Sequence, residues 1–179
     1  MLILHIELAE IKPTVWRRVA VPERITLNAL HEVIQSVMDW SDSHLHEFRI
    51  DGKTYGVPEP GWATATVSEQ GKTLIDVLAG KKAFDYVYDL GDNWEHHIKV
   101  EKTVPAADCP RSPHCLDGAN ASPPEDAGGA GQYEYLLAAL ADPDDPDHEA
   151  ISEWFGEADF DPAVFDRDRI NDELKRLTG

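Results

Sequence analysis

This sequence predicts an α+β domain: a curved, roll-like antiparallel sheet with helices packed on one face and a helical C-terminal segment. Three observations lead there. Apolar residues alternate with period two in paired runs separated by short breaks, as hairpins require. Helical periodicity appears once early and then repeatedly after residue 132. Strands joined by hairpins, with helices gathered toward one end, indicate α+β rather than alternating α/β.

Leu2, Leu4, Ile6 and Leu8 alternate with Ile3, His5 and Glu7, which gives a strand with one strongly apolar face. Lys12-Pro13 breaks it, and Val15, Arg17, Val19 and Val21 define a second strand that ends at Pro22. Thr26 is placed to cap a helix whose apolar stripe is Leu27, Leu30, Val33, Ile34, Val37 and Met38. His31 lies beside that stripe and reads as a partly buried helix residue. Asp51-Gly52 between two short strand-like runs signals a hairpin, because Gly accepts the positive φ of a type I′ turn. Residues 57–72 read as an irregular loop, with Trp62 expected to pack it onto the body, and Thr73–Ala79 as a short helix stopped at Gly80.

Phe84, Tyr86, Tyr88 and Leu90 alternate, and after Gly91-Asp92-Asn93 so do Trp94, His96, Ile98 and Val100. This is a second hairpin, with Trp94 and His96 sharing the inward face. Residues 103–132 are rich in proline and glycine and show no periodicity, so they read as a long loop. Tyr133–Ala141, His148–Phe155 and a segment from Pro162 to about Leu177, capped by Asp161 and apolar at Val164, Phe165, Ile170, Leu174 and Leu177, complete the helices. One domain spans 1–179, divided into a sheet-rich body (1–102), the long loop (103–132) and a helical part (133–179).

The net charge is −18 and unevenly placed: residues 1–100 carry 15 acids and 10 bases, residues 101–179 carry 19 acids and 6 bases. DNA is itself a dense polyanion, so direct DNA binding is disfavoured. A solubilising surface explains the charge, and a basic protein partner or nucleic-acid mimicry through Asp142–Asp161 is the sharper alternative. The start MLILHIELAEIKP does not have the pattern of a signal peptide, and no apolar run approaches the roughly 20 residues of a membrane span. A cytoplasmic protein that does not enter membranes is expected. Cys109 and Cys115 are too few for a disulfide framework and lack the second pair that a zinc knuckle needs. Their pairing and the oligomeric state are not legible.

Three segments stand out chemically: Trp40-Ser41-Asp42-Ser43-His44-Leu45-His46-Glu47-Phe48, the hairpin Tyr88–Glu101, and Pro123–Gly131. Together they resemble the Ri-plasmid open-reading-frame-three-like family, whose members are also labelled passenger proteins of an insertion element. The resemblance runs from Trp16-Arg17-Arg18 to Tyr133, with Leu90 standing where an aromatic is expected. It implies an α+β roll-like domain, found in bacteria and archaea, of plasmid or mobile-element ancestry. It supplies no catalytic residues.

The candidate binding cleft drawn from these segments is His44, His46, Asp89, Asp92, Trp94, His96, Glu125 and Asp126. Polar groups on an inward sheet face need partners, since an unpaired buried one costs about 1–3 kcal/mol. The Glu125-Asp126 turn is the nearest source of acceptors for the imidazoles. Mixed imidazole and carboxylate ligands suit zinc or manganese, with His44, His46 and His96 as the nitrogen candidates, yet no spacing is diagnostic and no cofactor is predicted outright. There is no nucleophile elbow, dinucleotide fingerprint or Walker motif. A non-enzymatic accessory or interaction protein is therefore the expectation. A metal-dependent hydrolase or nuclease using the His/Asp/Glu cluster, and an acidic binder of basic proteins, are the alternatives.

Overall fold

Leu2–Leu8 (β1) and Trp16–Val21 (β2) pair antiparallel as an opening hairpin. The computed structural model describes residues 1–58, 66–109, 113–156 and 160–177. Leu27–Met38 (α1) follows, with the Thr26 hydroxyl accepting from the Ala29 N–H. His46–Ile50 (β3) and Lys53–Gly56 (β4) form the expected tight hairpin, with Asp51 and Gly52 both at positive φ. After Val67–Ser68 (β5) and Leu74–Leu78 (α2) come Ala83–Tyr88 (β6) and Trp94–Thr103 (β7), then His114–Ala119 (β8). Gly129–Ala141 (α3), His148–Phe155 (α4) and Arg167–Arg176 (α5) close the chain.

Among the described residues the strands form one open sheet in the order β5-β4-β3-β6-β7-β1-β2-β8. All neighbours are antiparallel except β4 and β5. This is the α+β architecture the patterning implied. Leu4, Ile6, Val19, Phe48, Tyr86 and Ile98 point from one sheet face into a core shared with Leu27, Leu30, Ile34, Val37 and Met38 of α1. Each such side chain contributes about 1.5–3 kcal/mol when withdrawn from water. Ile3 and Ala20, which period two assigns to the opposite face, form a smaller cluster with Cys109, Met1, Val104 and Leu116.

Four expectations are corrected. The stretch 103–132 is not one loop, because it contains a 3-10 turn at Ala106–Asp108 and the edge strand β8. In β8 only Cys115 is fully buried, so no apolar alternation marks it, and the partner edge of β2 defines it instead. The stretch 57–72 likewise includes β5, while Trp62 lies outside the described residues. The third helix begins at Gly129, earlier than Tyr133. The last begins at Arg167, because Asp161 caps only a local turn at Ala163 whereas Asp166 accepts from the Arg169 N–H. Val164 and Leu177 are accordingly exposed, not part of the apolar side.

Cys109 and Cys115 are buried and form no disulfide. No helix among the described residues is long and apolar enough to cross a membrane.

Candidate functional site

The three chemically unusual segments meet at one end of the sheet. Trp40, just past α1, is buried against Tyr88 of β6 with ring centroids 4.9 Å apart, and its Nε1–H donates to the Pro123 carbonyl at 2.8 Å. The β6–β7 turn holds the third segment from the other side. The Asp92 carboxylate accepts from the Gly128 N–H at 2.8 Å, and a Cβ added to Gly129 would lie 2.6 Å from the Asp92 carbonyl oxygen. Glycine is required there by close approach as well as by its φ of +80°.

His44 stands where these segments join. Its Nε2 lies 2.9 Å from Asp126 Oδ1, 3.7 Å from Asp89 Oδ2 and 4.0 Å from Glu125 Oε2. Two of the three carboxylates are already oriented. Asp89 Oδ1 accepts from the N–H groups of Gly91 and Asp92, which leaves Oδ2 facing the imidazole. Glu125 Oε1 accepts from the Ser41 N–H, the Ser41 hydroxyl and the Tyr88 hydroxyl. Burial lowers the His44 pKa, but Asp89, Asp126 and Glu125 outweigh it and the net shift is upward. One imidazole facing three carboxylates leaves an excess of negative charge that a divalent cation would neutralise. The donor atoms of His44, Asp89 and Asp126 all lie within 4.8 Å of one another, a spacing that a cation bound at about 2.0–2.2 Å would draw in to roughly 3–3.4 Å.

A cleft of about 580 Å³ opens beside this cluster, lined by His31, Asp42, Ser43, His44, Leu45, His46, Val57 and Glu69. On its wall His31 and His46 stack with centroids 3.6 Å apart and planes 10° from parallel. His46 Nε2 meets the buried Glu69 carboxylate at 3.0 Å. His31 belongs to a closed ring of hydrogen bonds. The Asp42 N–H donates to Gln35 Oε1, and Gln35 Nε2 donates to the Tyr86 hydroxyl. That hydroxyl is 2.8 Å from His31 Nδ1, and His31 Nε2 is 2.9 Å from Asp42 Oδ1. Since Tyr86 accepts from Gln35, its own proton goes to His31 Nδ1, and His31 Nε2–H then donates to Asp42. Burial, then the neighbouring His46, lowers the His31 pKa against the pull of Asp42. A cation suits this pair poorly: in the plane of one imidazole it would lie out of the other by most of their 3.6 Å separation. The stacked pair therefore presents flat ring faces to the cleft, whereas the His44 cluster brings imidazole and carboxylate atoms toward one another.

Of the residues singled out in the sequence, His44, Asp89, Glu125 and Asp126 come together, and His44 and His46 line the cleft. Asp92 fastens the third segment to the hairpin. Trp94 and His96 lie buried on the inner sheet face and line no part of the cleft. His96 Nδ1 faces the Tyr86 carbonyl at 3.3 Å, so its acceptor is a backbone group and not Glu125 or Asp126. The candidate cleft drawn from the sequence does not include His31, Asp42, Ser41, Tyr88 or Glu69. Asp42, Ser41 and Tyr88 stand inside the quoted segments, but nothing in the pattern of residues 57–72 points to Glu69.

The open, mainly antiparallel α+β sheet is a fold shared with a solved structure. The structure of a protein of unknown function, MM3350 from Methanosarcina mazei, matches with a TM-score of 0.84 and 38% identity, covering 93% of this chain and 94% of that one. The chain belongs to the plasmid pRiA4b ORF-3-like protein family, whose model matches residues 1–169. Uncharacterized protein y4hQ of Sinorhizobium fredii is 39% identical over 176 residues, 97% of this chain and 90% of that protein.

Proposed function

We propose that this protein is a non-catalytic accessory protein of the cytoplasm, of mobile-element ancestry, that binds a divalent cation, zinc or manganese. The ligands are His44, Asp89, Glu125 and Asp126, and the cation holds an anionic ligand at the mouth of the adjoining cleft. One observation carries the reading. An imidazole and three carboxylates from segments distant in sequence converge, with Asp89 and Glu125 already oriented by backbone and hydroxyl donors. Such outer hydrogen bonds fix ligand direction in metal sites.

Metal analysis of untagged protein, paired with thermal unfolding in added zinc or manganese, tests it. Roughly one equivalent of metal is expected, with a rise in Tm that Asp89→Asn and His44→Ala abolish. Metal below about a tenth of an equivalent, with no shift in Tm, overturns it.

A second reading, metal-assisted hydrolysis, is favoured by the buried Glu69–His46 pair in the same cleft. A carboxylate-oriented imidazole can take the proton of a metal-bound water whose pKa is brought toward about 7. Metal-dependent turnover of a phosphoester, ester or peptide, lost in Glu69→Gln while metal remains bound, would establish it over the accessory role.

A further inference from the structure

The second helix pair carries a surface that the metal reading does not use. Between α3 and α4 runs a groove of about 360 Å³, floored by Leu136, Ile151, Ala127 and Ala150. Its walls include Tyr135 and Trp154, which are 43% and 46% exposed. Both are among the exposed large hydrophobic side chains of the described residues, and two such aromatics on one groove mark a contact site. The charge around it is one-sided. From residue 113 to residue 166 the sequence has no lysine or arginine, and it carries 14 acids. Asp126 and Asp147 line the groove itself. Glu134, Asp142, Asp144, Glu149 and Glu153, on the same two helices and their connection, are exposed.

We propose that this groove docks a lysine- or arginine-bearing segment of a protein partner. A cationic side chain lies over the Trp154 ring, its charge faces Asp147, and apolar neighbours fill the Leu136–Ile151 floor. The groove is apolar where a peptide would be desolvated and negative at its rim, a combination that selects a basic amphipathic segment over an acidic or purely apolar one. The attraction between a cation and a tryptophan face adds to simple charge pairing, and this separates docking from general attraction to an acidic protein. This site is independent of the cation bound at His44 in all but Asp126, which is left unaltered in the test.

The experiment is fluorescence anisotropy of a short labelled peptide that alternates arginine and leucine, titrated with the full chain at low and physiological salt. A glutamine-for-arginine peptide serves as control, and EDTA is present so that metal loss plays no part. Saturable binding is expected to the arginine peptide only. Trp154→Ala, an exposed position where folding is checked by circular dichroism, should weaken it about tenfold, or 1.4 kcal/mol. Asp51→Asn with Asp76→Asn, two exposed acids elsewhere, should change it less than about twofold. Several results overturn the proposal. One is no binding at low salt. Another is equal weakening by the remote acids with no effect of Trp154→Ala, which is bulk charge attraction. Equal binding of the glutamine peptide indicates an apolar occupant. A dimer in sedimentation that Trp154→Ala dissociates shows a second copy in the groove.

Discussion

Asn171 of α5 holds both backbone groups of Cys115 in β8: its Oδ1 accepts from the Cys115 N–H at 2.8 Å, and its Nδ2 donates to the Cys115 carbonyl at 2.9 Å. Because β8 ends the sheet, the side-chain amide occupies the place a further strand would take. An open edge invites pairing with other chains, and here the helix closes it at its most buried residue. Asn171→Ala exposes no new surface but leaves a buried donor and acceptor unpaired. Urea denaturation should show a loss of about 2–4 kcal/mol. Asn171→Asp should lose nearly as much, since a carboxylate cannot donate to the carbonyl.

Acid sensitivity should trace to His96. Burial, with a smaller contribution from nearby His97, lowers its pKa to about 4 against the pull of the Tyr86 and Trp94 carbonyls. The native state therefore holds it neutral, while the unfolded chain protonates near 6.5. Its share of stability is complete above about pH 6.5 and declines as pH falls toward 4, by up to roughly 3 kcal/mol. Equilibrium unfolding from pH 7 to 4.5 should show that slope, and His96→Leu should flatten it. An unchanged slope in the variant would assign the effect elsewhere.

Gly129→Ala should destabilise the junction of the hairpin turn and the third segment by about 1–3 kcal/mol, because it meets both a positive φ and the Asp92 carbonyl. Gly131→Ala is the control, since nothing lies within 4 Å of its Cβ position. Thermal unfolding of both variants separates local clash from loss of a helix-start glycine.

Arg17 is nearly buried and ties three elements together. Its Nε–H donates to the Val37 carbonyl in the last turn of α1, and its Nη1 donates to the carbonyls of Trp16 and Ala119. Burial brings its pKa down to about 10, so it remains charged at neutral pH, where the negative end of α1 favours it. Arg17→Met should cost about 3 kcal/mol or more by chemical denaturation. Arg17→Lys should recover less than half of that, since an ammonium cannot span the fork of acceptors.

Much of this architecture is legible in the residues themselves, and the exceptions share a cause. The β6–β7 hairpin announces itself because one face is apolar along its length and its turn holds Asp89 and Asn93, which accept positive φ. The strand β8 is hidden because its partner, and not its own side chains, makes it a strand. Asp161 reads as the cap of the last helix, but it is Asp166 that accepts from the Arg169 N–H, with Ile170 and Leu174 buried one turn and two turns on. At the site, His44, Asp89, Glu125 and Asp126 were readable as polar residues in turn-rich segments. His96 misled because a buried imidazole on a sheet found its acceptor in the adjacent backbone. Glu69 was unreadable, because its place depends on the Glu69 N–H meeting the Gly56 carbonyl, a contact no local pattern encodes.

The strand order also dictates a timetable for synthesis. The opening hairpin lies between β7 and β8, so β1 and β2 leave the ribosome long before either neighbour exists. Leu4 and Ile6 must wait for Val100 and Ile98, and Val19 for Cys115. For most of translation the nascent chain carries an amphipathic hairpin with both flanks unpaired. Sequence-distant pairings of this kind close slowly and leave sticky surface exposed meanwhile. Residues 1–102 made alone would lack the strand that seals β2, and a truncated product should be a client for chaperones more than a smaller version of the domain.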